Sequence, residues 1–130
     1  MSFSGHTARK RFGQHWLHDV RVLDQIVEAA RLQQDDRVLE VGPGRGALTE
    51  RLLASPAAQV HAIELDRDLV QGLHDRFGTD TRFSLRVGDV LEAPLQLGDG
   101  GFANKVVANI PYNITGPLLG RLVGHLDRPV

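Results

Sequence analysis

The sequence has no cysteine, no long apolar run and no paired histidines. Because all 130 residues lack cysteine, disulfides and thiolate metal sites are excluded. No apolar stretch approaches the ~20 residues that a membrane-spanning helix needs. The six histidines show no spacing typical of paired metal ligands, so we expect no bound metal. These absences favour a cytoplasmic protein without a membrane span.

The composition is that of a soluble globular domain with an uneven charge distribution. Hydrophobic residues make up 42% of the chain and charged residues 24%, and its length suits one domain. The net charge is -1, yet residues 1–22 carry three more basic than acidic side chains. Such a basic arm ahead of a mildly acidic body could contact nucleic-acid phosphates. It could equally be a solvated leader.

Helical and strand periodicities alternate along the chain. Strands are predicted at 37–41, 59–63, 82–87 and 105–108, and helices at 19–31, from 47, at 67–77 and from 114 to about 125. The first helix has Val20, Leu23, Ile26, Val27 and Ala30 at helical spacing, and the last has Leu118, Leu119 and Leu122 as its apolar side. This alternation predicts an α/β fold with a parallel sheet and flanking helices.

Chemistry-bearing residues follow the strands of this predicted sheet. The glycine-rich turn at 42–46 lets backbone approach a ligand at a helix N-terminus. An acid 22 residues beyond Gly42, at Glu64, is placed to accept both hydroxyls of a ribose. The residues at or just past the successive strand ends are Glu40, Glu64, Asp89 and Asn109. Ligands bind at that edge of an open α/β sheet, so the pattern predicts a nucleoside cofactor site.

The stretch at 109–112 carries a second, distinct signal. Pro111 helps to end the preceding strand and pushes Ile110 toward an extended conformation. The side-chain amide of Asn109, the carbonyl of Ile110 and the ring of Tyr112 then suit an aromatic amine, with two acceptors and a stacking face. An ordinary strand followed by a proline turn, with Tyr112 in the core, is the alternative interpretation.

Five stretches resemble the motifs of one enzyme family. They are RFGQHWL at 11–17, EVGPGRGALT at 40–49, IELD at 63–66, GDV at 88–90 and NIPYNI at 109–114. In order and spacing they are similar to the ribosomal RNA adenine dimethyltransferases, and the Gly-Pro-Gly form favours the small-subunit branch. The resemblance implies a Rossmann-like enzyme that uses S-adenosylmethionine. It would dimethylate the N6 amines of two adjacent adenosines in the RNA of the immature small ribosomal subunit.

The resemblance also implies roles for individual residues. The family's cofactor contacts fall on His15, Leu17, Gly42, Gly44, Glu64, Asp89, Val90 and Asn109. Its catalytic motif falls on Asn109, Ile110 and Tyr112, with Tyr112 stacking on the target base. His15 stands where asparagine is commoner in the family, so a side-chain contact at this position is a departure from the pattern.

The family's length leads to an expectation about domain organisation. Its methyltransferase domain has a seven-stranded sheet followed by a small helical domain. We therefore expect residues 1–18 to be a basic arm with a cofactor motif and residues 19–130 to be the N-terminal part of that domain, without the later strands and the helical domain. Such a chain would bind cofactor weakly and would not methylate RNA alone. The alternatives are a large-subunit adenine methyltransferase, a non-catalytic cofactor- or RNA-binding module, and a nucleotide-dependent oxidoreductase.

Overall fold

The computed structural model describes residues 19–97, 99–108 and 115–126. Helices and strands alternate along it, as the sequence predicts. The helices are α1 (Val20–Ala30), α2 (Ala47–Ala54), α3 (Arg67–Phe77) and α4 (Thr115–Leu126), and the strands are β1 (Arg37–Val41), β2 (Gln59–Glu64), β3 (Phe83–Val87) and β4 (Lys105–Ala108).

The four strands form one parallel sheet in the order β3-β2-β1-β4. β1 lies inside the sheet, where Val41 pairs with Ile63 of β2 on one side and with Ala108 of β4 on the other. The chain thus steps outward from β1 through β2 to β3 and then returns to the opposite side of β1. This reversal creates a switch point between β1 and β4, which is where open α/β sheets bind ligands. The predicted parallel sheet is confirmed.

Two apolar cores cover the two faces of the sheet. One joins α1, α2 and α3 to the sheet through residues such as Leu23, Leu52 and Leu73. The other lies on the opposite face, where Leu39 and Ile63 meet the segment before β4 and helix α4. Successive strand residues point to opposite faces, so Val38 enters the first core and Leu39 the second.

One predicted apolar position is wrong. Leu119 is 55% exposed, whereas Leu118 and Leu122 are buried. Residues four apart share one helix face, while Leu119 is turned about 100° away from Leu118. Val20 is 54% exposed although it shares the apolar face of α1, because it lies in the first turn and the packed part of the helix begins at Leu23.

A charged clamp fixes the other end of the sheet. The buried carboxylate of Asp36 accepts hydrogen bonds from Lys105 Nζ at 2.8 Å, Asn104 Nδ2 at 2.8 Å and the Gln33 amide at 2.7 Å. Lys105 Nζ also donates to the carbonyls of Ala30 and Arg31 at the end of α1. The hydrogen bond from Lys105, supported by the others, lowers the pKa of Asp36 from 3.8 to about 2. The clamp therefore joins α1, β1 and β4 away from the ligand-binding edge.

We expect Lys105→Met to make the protein more sensitive to acid. Because the folded-state pKa of Asp36 is depressed, its stabilisation is fully present above about pH 4 and is lost as the pH falls through about 2. Removing the ammonium group raises that pKa again, so the loss begins at higher pH. The midpoint of acid unfolding, followed by circular dichroism, should rise by roughly half a pH unit to one unit.

Arg21→Met is the matched control for this variant. It also removes one cation from an ion pair with an aspartate, but the Arg21 side chain is almost fully exposed and its partner Asp19 is at the start of α1. Exposed pairs contribute little to stability, so this variant should keep the native midpoint. Equal shifts in both variants would show that net charge, and not the clamp, sets the acid sensitivity.

Candidate functional site

The predicted cofactor-binding residues that lie in the described part of the chain meet at one edge of the sheet. This edge is formed by the carboxyl ends of β1, β2 and β3. The glycine turn follows β1 directly, Glu64 is the last residue of β2, and Asp89 is two residues beyond β3. Backbone hydrogen bonds link these ends, from the Gly42 amide to the Ile63 carbonyl at 3.0 Å and from the Gly88 amide to the Glu64 carbonyl at 2.9 Å.

The glycine turn requires glycine for two different reasons. Gly44 has φ +58°, in the left-handed region, and a β-carbon there would meet only the Gly42 carbonyl oxygen at 4.0 Å. Glycine is therefore needed at position 44 because of the backbone conformation and not because space is short. Gly46, the N-cap of α2, has φ +92°, and a β-carbon there would come within 2.6 Å of Phe77 Cε2. Gly46 thus lets α3 pack closely against the turn.

Helix α3 contacts the glycine turn through Arg76. Arg76 Nη1 donates to the Arg45 carbonyl at 2.7 Å, and Arg76 Nη2 donates to Glu50 Oε2 at 3.1 Å. The guanidinium lies 4.7 Å from the centre of the Phe77 ring. Arg76 therefore fixes the carbonyl in the middle of the turn relative to the first turn of α2.

Glu40 is completely buried beneath the turn. Its Oε1 accepts a hydrogen bond from Thr49 Oγ1 at 2.6 Å, and its Oε2 has no partner within the described ranges. Burial raises the pKa of Glu40 to about 8, against the lowering effect of the Thr49 hydrogen bond, and the negative charge of Glu64 raises it further. Glu40 is thus a neutral carboxylic acid at pH 7 that braces α2 on β1.

Glu64 is oriented by two backbone amides. Its Oε1 accepts from the Gly44 amide at 2.8 Å, and its Oε2 accepts from the Asp66 amide at 2.9 Å. The residue is 5% exposed. Each carboxylate oxygen keeps a second lone pair, so the group can accept further hydrogen bonds without losing these two. The next residue, Leu65, is 50% exposed and adds an apolar side chain beside this carboxylate.

Asp89 forms a tight turn after β3. Its Oδ1 accepts from the Leu91 amide at 2.9 Å, and its carbonyl accepts from the Glu92 and Ala93 amides at 2.8 and 2.7 Å. The side chain of Val90 is buried in the second core. A ligand at this turn would therefore meet the Asp89 carboxylate and the backbone of Val90.

The remaining predicted site residues, which are His15, Leu17, Asn109, Ile110 and Tyr112, lie outside the described residues. The chain positions of the last three are nevertheless informative. Asn109 is the next residue after Ala108, and Ala108 pairs with Val41, which immediately precedes the glycine turn. The predicted catalytic motif and the glycine turn thus follow directly from paired ends of adjacent strands.

Three supporting residues escaped sequence reasoning, namely Thr49, Arg76 and Arg121. Arg76 and Arg121 each contact a residue 31 positions away in sequence, which neither period nor motif spacing reveals, whereas Thr49 contacts Glu40 within the motif at 40–49. Within the described ranges, no group of three His, Cys, Asp or Glu side chains could hold a metal ion. Nor does that part of the chain contain a helix long and apolar enough to cross a membrane.

Known proteins resemble this chain in both sequence and fold. The family model for ribosomal RNA adenine dimethylase matches residues 5–129. The ribosomal RNA small subunit methyltransferase A of Synechococcus sp. (strain CC9902) is 89% identical over all 130 residues, which cover 47% of that protein. The chain thus spans about half the length of the curated relatives it matches.

Two solved structures share the fold. A dimethyladenosine transferase from Plasmodium falciparum superposes with a TM-score of 0.73 at 31% identity, over 86% of this chain and 38% of that one. The 23S rRNA methyltransferase ErmE superposes with a TM-score of 0.67 at 32% identity, over 79% of this chain and 40% of that one. The sheet order, the glycine turn with its acidic neighbours and the family match agree: the chain belongs to the ribosomal RNA adenine dimethylase family.

Proposed function

We propose that this chain carries the cofactor site and the target-amine motif of an S-adenosylmethionine-dependent methyltransferase. The enzyme converts two adjacent adenosines of small-subunit ribosomal RNA to N6,N6-dimethyladenosine. The observation that carries the proposal is the shared edge of the parallel sheet, where the glycine turn, Glu64 and Asp89 meet beside the strand that leads into Asn109. The names of the high-identity relatives favour the small-subunit RNA over the large-subunit RNA.

The chemistry of this edge fits S-adenosylmethionine. The carboxylate of Glu64, held by two amides, can accept from the two ribose hydroxyls with its free lone pairs. Asp89 keeps its Oδ2 for the adenine amine, since the described hydrogen bond from Leu91 uses Oδ1. The half-exposed Leu65 offers an apolar contact to the base. Gly42 and Gly44 allow the backbone to approach the cofactor. We assign the contacts with the methionine end of the cofactor to His15 and Leu17.

S-adenosylmethionine supplies a methyl group on an electrophilic sulfonium. The chain's own residues prepare the nucleophile, which is the N6 nitrogen of adenine. The Asn109 side-chain oxygen and the Ile110 carbonyl accept its two N–H groups, which favours a pyramidal nitrogen with a localised lone pair. Tyr112 stacks on the target adenine after that base has left the stack of the RNA, and this contact is worth about 1–3 kcal/mol. Holding the amine in line with the methyl contributes up to ~7–11 kcal/mol to the rate.

The partner is the immature small ribosomal subunit in the cytoplasm. We assign residues 1–18 to a basic arm whose cations contact RNA phosphates and residues 19–130 to the N-terminal part of the methyltransferase domain. Sequence-specific recognition of RNA generally targets loops, where bases can be splayed out for stacking. The target adenosines must therefore be presented in such an unpaired region.

Methyl transfer is best tested in a chimera. In this chimera the present 130 residues replace the matching residues of the Synechococcus sp. (strain CC9902) relative. With radiolabelled S-adenosylmethionine and undermethylated small subunits, we expect label in small-subunit RNA as N6,N6-dimethyladenosine. The absence of transfer by the folded chimera, or transfer to large-subunit RNA instead, would contradict the proposal.

Glu64→Ala should weaken binding of S-adenosylmethionine by about 1.5–3 kcal/mol, which is the range for hydrogen bonds to charged groups. The expected increase in the dissociation constant, measured by calorimetry on the 130-residue chain, is roughly 10- to 100-fold. Glu28→Ala is the control, since Glu28 is exposed on α1 away from the strand ends and its loss should leave binding unchanged. An unaltered constant in a folded Glu64→Ala variant would refute the ribose assignment.

A further inference from the structure

Helix α4 follows the predicted catalytic motif and packs on the face of the sheet that carries the second core. Leu118 and Leu122 are buried in the core that also contains Val90. These two side chains fix which face of the helix meets the sheet, but apolar burial alone sets no specific distance or angle to a chosen atom. Gly116 and Gly120 both face open space and lower the intrinsic stability of the helix. A directional contact would therefore add to the precision with which α4 is placed.

Arg121 makes that contact. It is the one polar side chain between residues 116 and 122. Its Nη1 donates to the Val90 carbonyl at 2.5 Å, across 31 residues of chain. A charged donor gives a shorter and stronger hydrogen bond than a neutral one and sets both distance and angle. Residues 118, 121 and 122 lie on one side of the helix, so the bond and the two buried leucines act together.

The acceptor of this bond belongs to the turn that carries Asp89. The Asp89 carbonyl is already occupied by two amides of the same turn, and its Oδ1 by a third. The turn is therefore rigid by itself, and the Val90 carbonyl links it to α4. Movement of α4 relative to this carbonyl is movement relative to the predicted adenine contact of the cofactor.

Both ends of the catalytic segment are thus tied to the cofactor edge. On one side Ala108 pairs with Val41, immediately before the glycine turn. On the other side α4 begins at Thr115 and is bound by Arg121 to the Asp89 turn. We propose that Arg121 is a positioning residue for methyl transfer, which fixes the helix that follows the predicted catalytic motif relative to the Asp89 turn. This role rests on the proposed function.

The test compares three variants of the chimera with their parent in single-turnover methyl transfer. Arg121→Met removes the donor and keeps an apolar stem of similar length. It should lower the rate constant of transfer by about 10- to 100-fold, because a displacement of about 1 Å can cost 10²-fold. The dissociation constants of S-adenosylmethionine and RNA should change less than about threefold, because the Asp89 turn keeps its own hydrogen bonds when Arg121 is replaced. Arg121→Lys keeps a charged donor and should recover part of the rate.

Gly120→Ala added to Arg121→Met separates positioning from helix stability. Alanine is a better helix former than glycine, and the space around Gly120 is open, so this change strengthens α4 without restoring the anchor. The double variant should stay as slow as Arg121→Met. Leu119→Ala, at an exposed site on the same helix, should transfer at the parental rate.

Two results would overturn the role of Arg121. One is a parental rate in the folded Arg121→Met variant, and the other is recovery of the rate by Gly120→Ala, which would show that helix stability alone matters. In either case the parent would still methylate small-subunit RNA and the proposed function would stand. If the folded parent transferred no methyl group at all, the proposed function would fail, and the role of Arg121 with it.

Discussion

Glu40→Gln is expected to stabilise the protein at neutral and alkaline pH. Glu40 is fully buried, and burial raises its pKa from 4.5 to about 8. In the unfolded chain the carboxyl ionises near pH 4.5, whereas in the folded chain it stays protonated up to about pH 8. The unfolded state therefore loses its proton first, and stability declines with rising pH between these two values. Glutamine cannot ionise, so the variant should lack this decline.

The size of the effect follows from the shift. Each pKa unit corresponds to 1.36 kcal/mol, so the native protein should lose about 3–5 kcal/mol between pH 4.5 and pH 8 through this group. The glutamine oxygen can still accept from Thr49. Its amide adds two buried donors, which offsets part of the gain. We expect a net stabilisation of about 2–4 kcal/mol at pH 8, by urea unfolding measured from pH 4 to pH 9.

Glu28→Gln provides the control for the pH series, because Glu28 is exposed and the same chemical change there should leave the pH dependence of unfolding unaltered. If Glu40→Gln and the native protein showed parallel stability curves across the range, Glu40 would not carry its proton in the folded state. In that case the buried carboxyl would have to be ionised and compensated, which the hydrogen bond from Thr49, the one it makes among the described residues, does not provide.

The strands could be predicted well because their signals are local. β1 and β4 are short apolar runs, each followed at once by glycine or by an Asn-Ile-Pro sequence, and their observed limits match the predicted ones. β2 continues one residue further to Glu64. β3 begins at Phe83, because the Arg82 and Phe83 amides donate to Asp80 in the turn that precedes the strand. The exposure of Leu119 could not be predicted from spacing, because Leu119 lies at the edge of the apolar stripe, about 60° around the helix from Leu122, and only packing decides whether that edge is covered.

The cofactor edge was predictable for a different reason. In a parallel sheet the order of strands along the chain already places their carboxyl ends on one side, so Glu64 and Asp89 could be brought together from sequence alone. The contacts that support them could not. Arg76 reaches Arg45 and Arg121 reaches Val90, each across 31 residues, and both contacts depend on how helices pack on the sheet. Such pairings leave no period or motif in the sequence.

The largest expected effect on catalysis is that of Asn109→Ala. In the chimera it should lower the single-turnover rate of methyl transfer by about 10²–10³-fold, the cost typical of removing one hydrogen-bonding group that acts on the transition state. Its affinity for RNA should change little, since the side-chain oxygen matters most as the amine nitrogen becomes pyramidal. Rate and RNA affinity, measured on the same preparation, separate these two effects.

Tyr112 provides the contrast that makes the assignment of Asn109 specific. Tyr112→Ala should reduce both RNA affinity and rate, because stacking holds the target base in the ground state as well as in the transition state. Tyr112→Phe keeps the ring and should transfer methyl groups at close to the parental rate. If Tyr112→Phe were as slow as Tyr112→Ala, the hydroxyl would take part in the reaction. Acceptance of the two N–H groups by Asn109 and Ile110 would then be insufficient to explain activation of the amine.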